Sequence, residues 1–94
     1  MATRPVQFFR IDFVNESHLH IETSDVVGRF DVGWTTPSGG TGHTRHMTAF
    51  ETAHWAASLH FMFSSQGDEE FSIPEMLTLL RQVSQSQILT GGEI

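Results

Sequence analysis

Apolar and polar residues follow a period of about two through much of the first half of the chain and a helical period after Thr48. Val6–Val14 is rich in aromatic and β-branched residues and predicts a strand with Phe9, Ile11 and Phe13 on one face. Asn15-Glu-Ser reads as a turn. His18–Thr23 predicts a second strand, with Leu19 and Ile21 inward and His18, His20 and Glu22 outward. Ser24-Asp25 makes a tight connection into a third strand, Val26–Thr35. Val26, Phe30, Val32 and Trp34 share one face of it, with Val27, Arg29 and Asp31 on the other. Gly28 and Gly33 mark a bulge or a close backbone approach. Thr36–Gly42 reads as a flexible loop, and His43–Met47 as a short fourth strand. Such short connections make an antiparallel meander.

After Thr48 the pattern is helical twice. Thr48 with Glu51 forms a capping box for a helix over 49–64, and Gly67 suits the left-handed cap beyond it. At 100° per residue two apolar stripes emerge, Phe50, Ala53, Ala57 and Phe61 on one side and Trp55, Leu59, Met62 and Phe63 on the other. The alanine stripe predicts close approach to the sheet, and the bulky stripe requires a second helix or another molecule over it. Ser72-Ile-Pro-Glu75 repeats the capping logic, with Phe71 and Met76 placed as a hydrophobic staple. The second helix, over 73–89, carries Ile73, Met76, Leu77, Leu80, Val83 and Ile88 on one stripe, and Gly91-Gly92 ends it. The expected fold is therefore α+β: an antiparallel sheet of three to four strands followed by two helices, in a two-layer sandwich. The expected core is Phe9, Ile11, Phe13, Phe30, Val32, Phe50, Ala53, Ala57, Phe61, Leu77 and Leu80.

Composition narrows the partners. Ninety-four residues make one domain, residues 1–94. No apolar run approaches the ~20 residues that span a bilayer, and Met-Ala-Thr-Arg-Pro has no apolar signal core. With no cysteine there is no disulfide frame and no thiol nucleophile, which fits a cytoplasmic home. Net charge is −6, and all five basic residues are arginine. Such a chain repels nucleic acid and suits a protein partner with a basic surface.

Two groups of residues are candidates for chemistry. His18-Leu-His20 and His43-Thr-Arg-His46 have metal-ligand spacing, and imidazole suits Zn or another transition metal. Solvated, hydrogen-bonded histidines are the competing reading, with no cofactor at all. His54 and His60 lie well round from each other on the first helix and cannot share an ion. The acidic candidates are Asp68, Glu69 and Glu70 at one turn, with Asp25 and Asp31 on the sheet; the alternative for these is plain solvation. Ser38-Gly-Gly-Thr-Gly42 lacks the lysine of a phosphate loop, and no Gly-x-Ser-x-Gly elbow occurs. Nothing in the sequence asks for an enzyme. Trp34, Trp55 and the eight Phe are core with some interface anchors, and the doubly apolar helix admits a homodimer.

A short acidic chain with a small meander followed by Thr48-Ala-Phe-Glu51-Thr-Ala53-His-Trp-Ala56-Ala57 resembles small phage and mobile-element inhibitors of the anti-CRISPR type. That resemblance covers the layout of about half the chain. It implies a stoichiometric inhibitor that docks on a nucleic-acid-handling host complex, and it assigns no residue a role. Bacterial immunity proteins share the same small, acidic look.

Overall fold

The computed structural model describes residues 5–91, with side chains to residue 88. The leader reading at Met1–Arg4 and the stop at Gly92 lie outside the described residues. Four strands, β1 (Gln7–Asp12), β2 (His18–Thr23), β3 (Phe30–Thr35) and β4 (Thr41–His43), precede two helices, α1 (Ala49–Phe63) and α2 (Ile73–Gly91). The sheet is an antiparallel meander of order β1-β2-β3-β4. This is the α+β arrangement read from the sequence, with the helices covering one face of the sheet.

Register fixes the two faces of the sheet. Ile11 lies opposite Leu19 and Phe9 opposite Ile21, while Ile21 pairs with Val32 and Thr23 with Phe30. These residues line the covered face. A bulge between Gln7 and Phe9 admits Phe8 to the same side, where it meets Phe30 edge-on with centroids 5.8 Å apart. The core joins Phe13, Leu19, Ile21, Phe30 and Val32 to Ala53, Ala56, Leu59 and Phe63 of α1 and Met76 and Leu80 of α2.

Several boundaries differ from the pattern-based expectation, beginning with β1, which spans Gln7–Asp12 rather than Val6–Val14. Residues 24–29 turn rather than extend: Ser24 N–H donates to Arg29 O at 3.1 Å, and the Ser24 hydroxyl accepts from Val26 N–H at 2.9 Å. Val26 and Val27 are consequently exposed rather than part of a strand face. The Gly-rich stretch is a tight hairpin rather than a flexible loop, closed by Thr36 N–H to Gly40 O at 2.7 Å, so β4 starts at Thr41 instead of His43. Met47 then makes only an isolated bridge to Phe30. At the other end α1 stops at Phe63 with extended Ser64 as its cap, and Gly67, at φ +101°, serves the following turn instead of the helix. The α2 helix continues past the expected residue 89 to Gly91.

The capping box forms as read: Thr48 Oγ1 accepts from Glu51 N–H at 3.1 Å, and Glu51 Oε1 accepts from Thr48 N–H at 3.0 Å. At α2 only the forward half is present, Glu75 N–H to Ser72 Oγ at 3.3 Å.

The largest correction concerns the rotation of α1. Thr52, Ala53, Ala56, Leu59 and Phe63 are buried, a face that falls between the two expected stripes. Phe50 and Phe61, expected in the core, are exposed, and Ala57 is only half-buried. Thr52 can occupy the interior because its hydroxyl donates to Thr48 O at 2.8 Å. Phe9, Ile11 and Leu77 are half-buried at the edge of the core, and Ile88 is exposed.

This rotation fixes opposite outcomes for neighbouring substitutions. Ala56→Leu should overpack the helix–sheet contact and destabilise by roughly 1–3 kcal/mol. Phe61→Ser should stay within about 0.5 kcal/mol of the parent in chemical denaturation of dilute protein.

Candidate functional site

The residues singled out from the sequence fall mainly on three surfaces, the open face of the sheet, the α1–α2 connection and the outer face of α1, with Asp25 and His46 at the β2–β3 corner. The open face is polar because β-strand alternation turns His18, His20 and Glu22 away from the core. The His18 and His20 rings stack with centroids 6.4 Å apart, and His18 Nε2 lies 3.2 Å from Thr35 Oγ1. Gly33 pairs with both His20 and His43, so it separates the two imidazoles across β3. The His20 ring lies directly over Gly33, where a Cβ would come within 2.4 Å of Cε1. A shallow cleft of about 210 Å³ opens there, bounded by His20, Glu22, Asp31, His43 and Arg45. His20 Nδ1 is buried and makes no hydrogen bond among the described residues.

His46 stands apart from these. It adopts φ +55°, its N–H donates to Asp31 Oδ1 at 2.7 Å, and its Nδ1 faces Ser24 Oγ at 3.1 Å and Asp25 at 3.4 Å. The four candidate histidines are thus divided among Thr35, Gly33, the β4 edge and the β2–β3 corner. Among the described residues no three His, Asp or Glu side chains are placed to hold one metal ion. On α1, His54 Nδ1 lies 2.9 Å from Phe50 O, and His60 Nε2 donates to Glu69 O at 2.6 Å.

The acidic candidates also separate. Asp68 is a structural acceptor: Oδ1 takes Val14 N–H at 3.0 Å and Oδ2 takes Ser65 N–H at 2.8 Å, tying the β1–β2 turn to the α1–α2 connection. Asp31 and Asp25 serve His46. Of these five candidates only Glu69 and Glu70 keep carboxylates without a hydrogen bond or ion pair among the described residues, at a cleft of about 310 Å³ shared with Arg10 and Phe71. Arg10 itself forks onto Asp12 at 2.8–3.1 Å, an exposed pair of small energetic weight.

The outer face of α1 is the surface that pattern reading misplaced. Phe61 is 85% exposed, Phe50 and Met62 are each 65% exposed, and Trp55 is 42% exposed. The His54 ring lies 4.1 Å from that of Phe50, centroid to centroid, and Trp55 leans on Trp34 at 5.9 Å. Glu51 is the only charged residue in the helix other than histidine, and its carboxylate is turned back to Thr48. The sequence held one signal for this rotation: Thr52, Ala56 and Phe63 lie on one helical row, and a threonine four residues after a helix cap can bury its hydroxyl on the helix carbonyls.

The hydrogen bond from Ser65 N–H, with a smaller contribution from Val14 N–H, holds the Asp68 carboxyl below its ordinary pKa. A depressed carboxyl pKa contributes stability that is complete above the unfolded value, near pH 4, and is lost as pH falls through the folded value. Asp68→Ala should therefore lower the denaturation midpoint at pH 7, and the gap to the parent should narrow below about pH 4. Denaturant titrations at pH 7 and pH 3 check this.

No helix among the described residues is long and apolar enough to cross a membrane. Comparison with protein-family models, with curated proteins and with solved structures gave no match for this chain.

Proposed function

We propose that the protein is a non-catalytic binding module that acts through protein–protein contact, anchored by the outer face of α1. The observation that carries this reading is the exposure of Phe50, Phe61 and Met62 on a helix whose opposite face is fully packed. Large aromatic side chains gathered in water are what interfaces bury as anchors. The helix is rigid, capped at its start and packed against the sheet, so little ordering entropy opposes docking.

Charge adds range to this anchor. A net charge of −6 speeds encounter with a basic surface, and the unengaged carboxylates of Glu69 and Glu70 are the groups best placed to meet it. In its fullest form the proposal is an acidic inhibitor of the anti-CRISPR type, covering a basic groove of a nucleic-acid-handling complex. Asp68, Asp25 and Asp31 have a lesser part in this version, because each already accepts from or faces a group of its own chain.

Capture of protein partners from a bacterial lysate, at low and high salt, tests the reading. The expected result is a nucleic-acid-handling protein retained by the parent, lost with Phe61→Ser, and weakened by salt or by Glu69→Lys with Glu70→Lys. Retention unaffected by Phe61→Ser would contradict the anchor. Turnover in a substrate screen that disappears with His20→Ala would contradict the non-catalytic reading.

A further inference from the structure

We infer that the occupant of the α1 outer face is a second copy of this chain, docked antiparallel about a two-fold axis. The inference rests on the reading of that face as a docking surface and names what covers it. Phe50, His54, Ala57 and Phe61 recur at the four-three-four spacing of a helix–helix seam. An antiparallel two-fold pairing centred between His54 and Ala57 sets Phe50 against Phe61 of the second copy and His54 against its Ala57. The operator then repeats both pairings, as an isologous interface requires. Phenyl rings stand at both ends of the seam, and small Ala57 faces His54 at its middle, where two helix axes must approach to about 8–10 Å.

Charge selects the same occupant. A partner recognised through its cations needs carboxylates to face, and this helix offers only Glu51, which is held by its own capping box. An identical face, equally free of charge, is a better match. The charges that make two copies repel lie elsewhere: Asp12, Glu22 and Asp31 on the strands, and Asp68, Glu69 and Glu70 at the α1–α2 connection. Area fits a weak dimer. Phe50, Phe61 and Met62 leave on the order of 400 Å² in water per copy at typical large apolar side-chain areas. Two copies would bury at most about 800 Å² through them, below a standard interface. The dimer is therefore weak, and any other protein bound to this face must compete with it.

Sedimentation equilibrium on the full chain, from about 1 to 300 µM, tests the inference. The parent should show a monomer–dimer equilibrium that tightens between 50 and 500 mM NaCl, because salt screens the repulsion of two acidic copies. A basic partner would show the opposite dependence. Phe61→Glu alone and Phe50→Lys alone should each weaken the dimer at least tenfold, with unchanged circular dichroism and melting of dilute protein. Combining the two sets opposite charges against each other twice across the axis, and should recover dimerisation to at least tenfold tighter than Phe61→Glu alone. A parent that stays monomeric to 300 µM, or a combined variant no tighter than either single one, overturns the inference. If the parent is monomeric while Phe61→Ser still abolishes capture of a foreign protein, the docking-surface reading stands and the second copy is wrong. If Phe61→Ser changes neither, both fall.

Discussion

The contact on which the structure depends is the seating of α1 on β2 and β3 through small side chains. Thr52, Ala53 and Ala56 are fully buried, and they let the helix backbone come close to the sheet residues Leu19, Ile21, Phe30 and Val32. Larger residues there would hold the layers apart and open voids beneath the helix ends. Leu59 and Phe63 extend the same face toward α2, where Met76 and Leu80 complete the core. Once this row faces inward, helical geometry leaves Phe50 and Phe61 outside. The exposed aromatic surface is thus a direct consequence of the core contact.

The turns that frame the helix fix its end. Asn15 Nδ2 donates to Phe63 O at 2.9 Å, and its Oδ1 accepts from Ser17 N–H at 3.1 Å, so one amide links the β1–β2 turn to the last residue of α1. Asp68 makes a parallel link from Val14 N–H. At the start, the Thr48–Glu51 box closes the first turn, and the short connection through Met47 bridges back to Phe30. Held at both ends, the helix cannot roll to hide its outer side chains.

Much of this was legible from residue pattern. β2 was read to the residue, the inward placement of Leu19 and Ile21 follows from period two, and the α1 capping box is a local signal independent of tertiary context. The rotation of α1 was not legible, because a helix apolar nearly all round has no preferred side until a sheet selects one. Thr52 reads as polar in a sequence but behaves as a small apolar residue once its hydroxyl is satisfied at Thr48 O. The valines at 26 and 27 promised a strand, yet the Ser24 hydroxyl and a glycine at φ +81° favoured a turn. His18, His20 and Asp31 lie on the strand face opposite the core residues, as alternation predicts. Their partners were not legible, since the links from Asp31 and Asp25 to His46 depend on the left-handed backbone at His46.

The side of α1 that meets water, and what removes it from water, can be read directly by labelling. The chain has no cysteine, so single substitutions give unambiguous thiol probes. Maleimide labelling should be compared for Ala56→Cys, Leu59→Cys and Phe61→Cys across a concentration series. In dilute protein, the thiol at position 61 should react at nearly the rate of unfolded chain and those at 56 and 59 should be strongly protected. At high concentration the thiol at 61 should become protected in step with dimer formation. Protection at 61 in dilute monomer, or reactivity at 56 equal to that at 61, would contradict the account.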